Sequence, residues 1–270
     1  MKKNLFPIMA VLLAIVSCTD NHFLDENSAD LSVLSSSEID VLIEKARWGD
    51  GQAFVKLADC YRDGNGVKQD FFGMLTMVAQ ADEYGGISNM EEYLRTLPEG
   101  SNFKLIFDAM ENYEKKNVED ATAQFELLIA KGSPDGYAVK GIIAMESGDT
   151  LEGVRLIEQA ATSGSTFAEL LRCIPDLHGA TVPDLDKLAA LSDKIPFVNT
   201  ILGKMYAGYE GKNLMDEALA AQYFLKADEK ACLSKRGARW LLYYHRCCGQ
   251  LPLSEHDIQR LQKLAGEEPV

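Results

Sequence analysis

Three short stretches of this sequence carry residue types and spacings that could do chemistry. Ser101-Asn102-Phe103-Lys104 sets a hydroxyl and an amine three residues apart. On a helix that spacing puts both on one face, as a serine nucleophile with a lysine base requires. Such chemistry also needs an S-x-N and a K-T-G element. Neither occurs, so Ser101 is read instead as the cap of the helix that follows. His245 and Cys248 form a second pair, with Cys247 and Cys232 near them in sequence. A structural zinc site needs four ligands, usually with cysteines two to four residues apart. That spacing is missing, and the reading is a helix-end histidine among thiols. No catalytic residue, metal or cofactor is expected.

The third stretch is LADCYRDGNGVKQD, residues 57–70. As a calcium loop it would use Asp59, Asp63 and Asp70 around Gly64. Calcium needs a cage of oxygens closed by a bidentate Glu. Here Tyr61 and Val67 occupy two ligand positions, and the last is the shorter Asp70. As a phosphate cradle it lacks a third glycine, a Gly-Lys-Ser and a preceding strand. A turn is left: Gly64 and Gly66 accept positive φ, Asn65 tolerates it, and two helices can fold back on each other.

Elements on both sides follow a shared register. Counting from Asp70, Met74, Met77, Ala81 and Gly85 fall at +4, +7, +11 and +15. Counting from Asp149 gives Gly153, Leu156, Ala160 and Gly164, and from Asp216 gives Ala220, Tyr223, Ala227 and Ala231. Asn117 gives Ala121, Gln124, Leu128 and Gly132. The first three offsets share one helix stripe, and the last is a helix stop. An apolar stretch precedes each window, with Leu57 and Tyr61, or Leu202 and Tyr206, four apart. Each unit therefore reads as helix A, turn, helix B. The stretch AFVKLADCYRDGNGVKQDFFGMLTMVAQADEYGG resembles a Sel1-like repeat, a relative of the tetratricopeptide repeat. Ala53, Leu57, Tyr61, Gly64, Gly66, Val67, Asp70, Ala81 and Gly85 carry the resemblance; Ala58, Met74 and Asp82 depart from it. The windows from Asn117 and Asp149 are degenerate, and 166–195 shows helical patterns without the register. The expected fold is an all-α solenoid of antiparallel helix pairs over 37–266, with a short tail at 267–270. Ser37 is expected to cap its first helix, and Ser254 to cap a last helix with a polar outer face.

The first 17 residues read as a leader: Lys2 and Lys3, then an apolar run from Leu5 to Val16. Ile15-Val16-Ser17-Cys18 resembles the bacterial lipoprotein box. That resemblance implies cleavage before Cys18 and acylation of it, leaving residues 18–36 as a polar, acidic tether. The chain would then sit in the cell envelope, in the outer membrane by the absence of Asp at position 19. Among its 270 residues 47% are apolar, ample for a core, and the formal charge is −14. With no basic patch apparent to offset that charge, nucleic acid and anionic lipid are not expected as direct ligands. Five cysteines remain beyond Cys18; Cys60 and Cys173 lie in apolar helical patterns and read as small buried hydrophobes.

In tetratricopeptide-like solenoids the A helices line a concave groove. By analogy Gln52, Asp59 and Arg62, then Thr200 and Lys204, then His245 are the candidate partner-binding residues. The resemblance implies an adaptor or assembly factor that holds a protein or peptide, like the tetratricopeptide lipoprotein of outer-membrane β-barrel assembly. Two alternatives stand beside it. One is a cell-wall-peptide enzyme or penicillin-binding-type protein, although the paired cysteines of cysteine-rich Sel1 proteins are absent. The other is a carrier of a small ligand or metal.

Overall fold

Four polar residues open four helices of equal length. The computed structural model describes residues 34–173, 184–208, 215–249 and 251–267. The leader, Cys18, His22 and His178 lie outside those residues. Among the described residues every regular element is an α-helix. In chain order these are α1 (Ser36–Arg47), α2 (Gly51–Asp63), α3 (Phe71–Glu83), α4 (Met90–Arg95), α5 (Asn102–Glu114), α6 (Val118–Ala130) and α7 (Pro134–Glu146). Then follow α8 (Thr150–Thr162), α9 (Thr166–Leu171), α10 (Leu185–Leu191), α11 (Val198–Tyr206), α12 (Glu217–Glu229), α13 (Lys235–Cys248) and α14 (Glu255–Ala265).

The register found in sequence is the B-helix register. Helices α3, α6, α8 and α12 have 13 residues each and start one residue after Asp70, Asn117, Asp149 and Asp216. Asp149 and Asp216 cap their helices by accepting from the N–H groups of Glu152 and Leu219. The stripe behind each cap is buried: Met74, Ala81, Ala121, Leu128, Ala160, Ala220 and Ala227 are at most 1% exposed. Close approach decides where the small residues fall. A Cβ on Gly153 would stand 2.7 Å from the carbonyl oxygen of Gly141, and one on Gly141 would stand 2.8 Å from that of Gly153. Helices α7 and α8 therefore cross backbone to backbone. Gly203 is covered by the Phe224 ring and Gly73 by the Tyr61 ring in the same way.

The glycine break is a turn. Gly64 caps α2 in the left-handed region with its N–H on the Cys60 carbonyl, and Gly66 is left-handed as well. The same turn also seats the start of α1. The Leu34 N–H donates to Asn65 Oδ1 at 2.6 Å, and Ile39 packs where a Gly66 Cβ would stand. Asp59 and Asp63, the would-be calcium ligands, are both paired with Arg62. Ser101 caps α5 by accepting from the Lys104 N–H, while the Lys104 amine is held by Asp108. The first helix starts earlier than expected. Ser35 is its N-cap rather than Ser37, because Glu38 reaches back to the Ser35 N–H at 2.7 Å in a capping box.

The helices fall into two compact units. Unit 1 holds Asp70–Phe72 and Asn89–Asp184. Within it α5 pairs with α6 and α7 with α8, and the A helices α5, α7 and α9 touch in succession. Phe71, Phe72, Phe103 and Phe167 form its aromatic centre, with ring centroids 5.2 to 6.5 Å apart. Unit 2 holds residues 34–69, Gly73–Ser88 and 185–267. Here α1 packs on α2, α11 on α12, and α13 on both α12 and α14. The Phe54 ring stacks on Tyr84, and Phe224 leans on Trp240.

Unit 2 joins segments from opposite ends of the chain. Arg260 is 2% exposed and grips Asp228 with two hydrogen bonds of 2.6 and 2.7 Å. Arg47 adds a third to the same carboxylate at 3.0 Å, and Arg260 also donates to the Arg47 carbonyl. Trp48 meets the His256 ring edge-on, with the Lys263 amine over its face. Helix α14 is capped by Ser254, which accepts from the Asp257 N–H, as the sequence suggests. Its polar residues are not all solvated, since Arg260 and Gln262 are buried.

Candidate partner-binding surface

Helix α2 supplies the first group of candidate residues. Gln52, Asp59 and Arg62 fall on an arc of about 80°, spread over about 15 Å of helix. Gln52 is exposed, and its side-chain amide donates to the Gly86 carbonyl at 2.9 Å, bridging the two ends of the α2–α3 hairpin. Arg62 is held at both sides, by Asp59 at 2.5 Å and Asp63 at 2.6 Å. Its guanidinium thus has a fixed orientation on a half-buried stem. Pairs of this kind contribute little to stability, under about 1 kcal/mol each, but they set where charge is presented.

Helix α11 presents one of its two candidates. Lys204 lies half-buried at the surface. Thr200 does not face a groove: it is 0% exposed, and its hydroxyl donates to the Cys232 carbonyl at 2.5 Å. The reason is its place one turn before Lys204 on the side that packs against the α12–α13 connection. A threonine there satisfies a buried carbonyl that an alanine would leave unpaired. His245 on α13 is half-buried, and its Nδ1 donates to the Leu251 carbonyl at 2.6 Å. It holds the chain that follows α13 rather than a ligand, and Cys247 and Cys248 stand beside it as free thiols. Cys60, Cys173 and Cys232 are buried, the Cys173 thiol donating to the Glu169 carbonyl, and burial pushes Cys232 up to about 12. Burial thus disfavours its thiolate, the nucleophilic form, at neutral pH.

Lys204 belongs to a charged cluster that the sequence pattern does not mark. Glu83, the last residue of α3, accepts from the Lys235 N–H at the start of α13. The Lys235 amine returns to the Glu83 carbonyl at 2.5 Å and lies over the Tyr84 ring. Burial raises the Glu83 carboxyl, and the Lys235 N–H together with the charges of Lys235, Lys204 and Arg239 pull against that rise. The Tyr84 phenol, raised well above its usual value by burial, donates to the Leu233 carbonyl. Helices α3, α11 and α13 thus converge on one carboxylate, which brings Lys204, Lys235 and Arg239 together. The available signal was KRGAR at 235–239, a local basic run hidden inside a net charge of −14.

A separate open cleft of about 380 Å³ lies in unit 2, lined by Val41, Glu44, Lys45, Trp48, Asp50 and Lys263. Its Trp48 indole donates to Glu44, so the aromatic wall is fixed in place.

No family model and no curated protein matches this chain. Solved structures do align with it, among them the following two. A Sel1 repeat protein from Oxalobacter formigenes is 17% identical, with 86% of this chain and 99% of that chain covered and a TM-score of 0.43. A protective antigen of uropathogenic Escherichia coli with an SLR fold is 20% identical, with 86% of this chain covered and a TM-score of 0.36. The alignment spans 56% of that second protein's length. The all-α architecture of antiparallel helix pairs follows from the register, the caps and the glycine crossings of this chain.

Proposed function

We propose that this chain is a lipid-anchored envelope protein that binds a protein or peptide partner through the surfaces of its helix hairpins. The observation that carries the reading is the hairpin repeat. Four equal helices in one register, each backed by a partner helix, display charged side chains on pre-set positions. Arg62 and Lys204 are such positions, the one clamped between two aspartates and the other set beside Glu83. Rigid presentation lowers the ordering cost of association. The role is that of an adaptor or assembly factor in which no covalent bond is made or broken. Cys18 is the lipid attachment site by the leader and lipobox resemblance, and Thr19 in place of an aspartate supports an outer-membrane location.

Two measurements test this. Mass analysis of the mature N-terminus is expected to show a triacylated Cys18, and Cys18→Ala is expected to release the chain from the membrane fraction. A photo-crosslinker at position 62 or 204 is expected to trap one recurring partner in intact cells. Recovery of Cys18→Ala in the outer membrane, or crosslinks no different from those at exposed Lys56, would overturn the reading.

A further inference from the structure

Helix α13 differs in charge from the rest of the chain. It carries Lys235, Arg236, Arg239 and Arg246, together with His245, and no acidic residue at all, within a protein of net charge −14. The cations are not scattered around the helix. Arg236, Arg239, Tyr243, Arg246 and Cys247 are its exposed residues along one side. At 3.6 residues per turn they fall on an arc of about 100° and run about 15 Å along the axis. Tyr243 is 57% exposed in the middle of this line. The opposite side is buried through Gly237, Ala238, Leu241 and Tyr244, so the helix cannot roll. Two of the arginines are steadied from the end of α14: Arg239 Nε donates to the Ala265 carbonyl at 3.0 Å, and Arg246 sits 3.4 Å from Glu267.

We infer that the exposed side of α13 is a docking surface for an acidic peptide segment of a partner protein. Arginine and tyrosine are the side chains that most often dominate protein interfaces. A guanidinium engages a carboxylate with two parallel hydrogen bonds, and three of them at intervals of three, seven and ten residues match carboxylates along an extended or helical segment. Tyr243 supplies apolar contact between the charges. The stripe is one helix wide, and the surrounding protein is strongly acidic. A short segment can meet the three arginines within a Debye length of about 10 Å. An extended polyanion such as duplex DNA or an anionic bilayer would also meet the repelling field of the flanks. Arg239 also faces the Glu83 cluster of Lys204, whereas Tyr243 and Arg246 are outside that cluster, and the adaptor reading is tested separately by the crosslinks at positions 62 and 204.

The test uses the full chain in detergent and fluorescence anisotropy at low salt. The probe is a labelled alanine-based peptide with glutamates at the same spacing; its lysine counterpart is the control. Saturable binding of the glutamate peptide alone is expected, weakened about tenfold or more by Arg239→Glu with Arg246→Glu. Tyr243→Ser, a change at an exposed side chain whose hydroxyl meets Cys247, is expected to weaken it as well. Lys56→Glu with Lys68→Glu makes the same change in net charge on exposed positions elsewhere and is expected to leave binding intact. The proposal is overturned by absence of saturable binding, by equal loss in the Lys56/Lys68 control, or by preferential displacement with duplex DNA or soluble short-chain phosphatidylglycerol.

Discussion

Glu114 is the last residue of α5, and Glu146 is the last residue of the neighbouring A helix α7. Both carboxylates stand at the negative end of a helix, where the backbone dipoles favour a cation instead. Glu114 Oε1 is buried with no hydrogen-bond partner among the described residues. Burial, then Glu146, Glu111 and Glu91 raise its carboxyl to about 7. The nearby cations are taken by others: Arg95 bonds Glu91 and Glu111, and Lys115 bonds Glu111. On its other flank α5 meets α6 through Asn112, which donates to Gln124. The folded chain therefore holds a proton on Glu114 that the unfolded chain releases near 4.5. Between those two values the folded state binds more protons, so stability falls as pH rises through that window. The thermal midpoint is expected to drop between pH 5 and pH 7.5 in the native protein, and Glu114→Gln is expected to flatten that slope. An unchanged slope in the variant would count against the assignment.

Each B helix ends in a left-handed residue at the +15 position. Gly85, Gly132 and Gly164 have φ of 70°, 74° and 95°, while Ala231 takes the same role at 54°. An L-residue with a side chain pays about 1–2 kcal/mol there. Nothing lies within 4 Å of a Cβ built on Gly164. Gly164→Ala is thus expected to cost about 1 kcal/mol through backbone strain alone, read by urea unfolding. Ala231→Gly is expected to be neutral or stabilising by up to about 1 kcal/mol, because relief of strain outweighs one buried methyl. At this scale the sequence was informative. Spacing of small residues, a polar start and a glycine stop are local signals, and they located α3, α6, α8 and α12 to within a residue. The A-helix candidates were less legible. Thr200 and Lys204 are four residues apart and look alike in pattern, yet Thr200 is enclosed because of what packs over it. Only the neighbouring hairpin determines that.

The larger architecture rests on pairings that no local pattern announces. Asp228 and Arg260 are 32 residues apart, and Arg47 precedes Asp228 by 181. A buried carboxylate held by two guanidiniums is costly to disturb from one side. Asp228→Leu is expected to destabilise unit 2 by about 3–5 kcal/mol, because Arg260 is left buried with only the more exposed Asp257, 3.5 Å away, as counter-charge. Adding Arg260→Met is expected to restore a large part of that loss. Hydrogen exchange would show α1 and α14 loosening together in the single variant and recovering together in the double. Separate responses of the two helices would show that the pairing does not couple them.

The meeting of Arg47 with Arg260 also sets an order of events for a newly made chain. Arg47 is synthesised 213 residues before the Arg260 side chain that donates to its carbonyl. Until that end of the chain is made, Trp48 and the Asp228 carboxylate have incomplete surroundings, and the early segment stays open to proteases and chaperones. Closing so long a span is slow compared with forming a local helix pair.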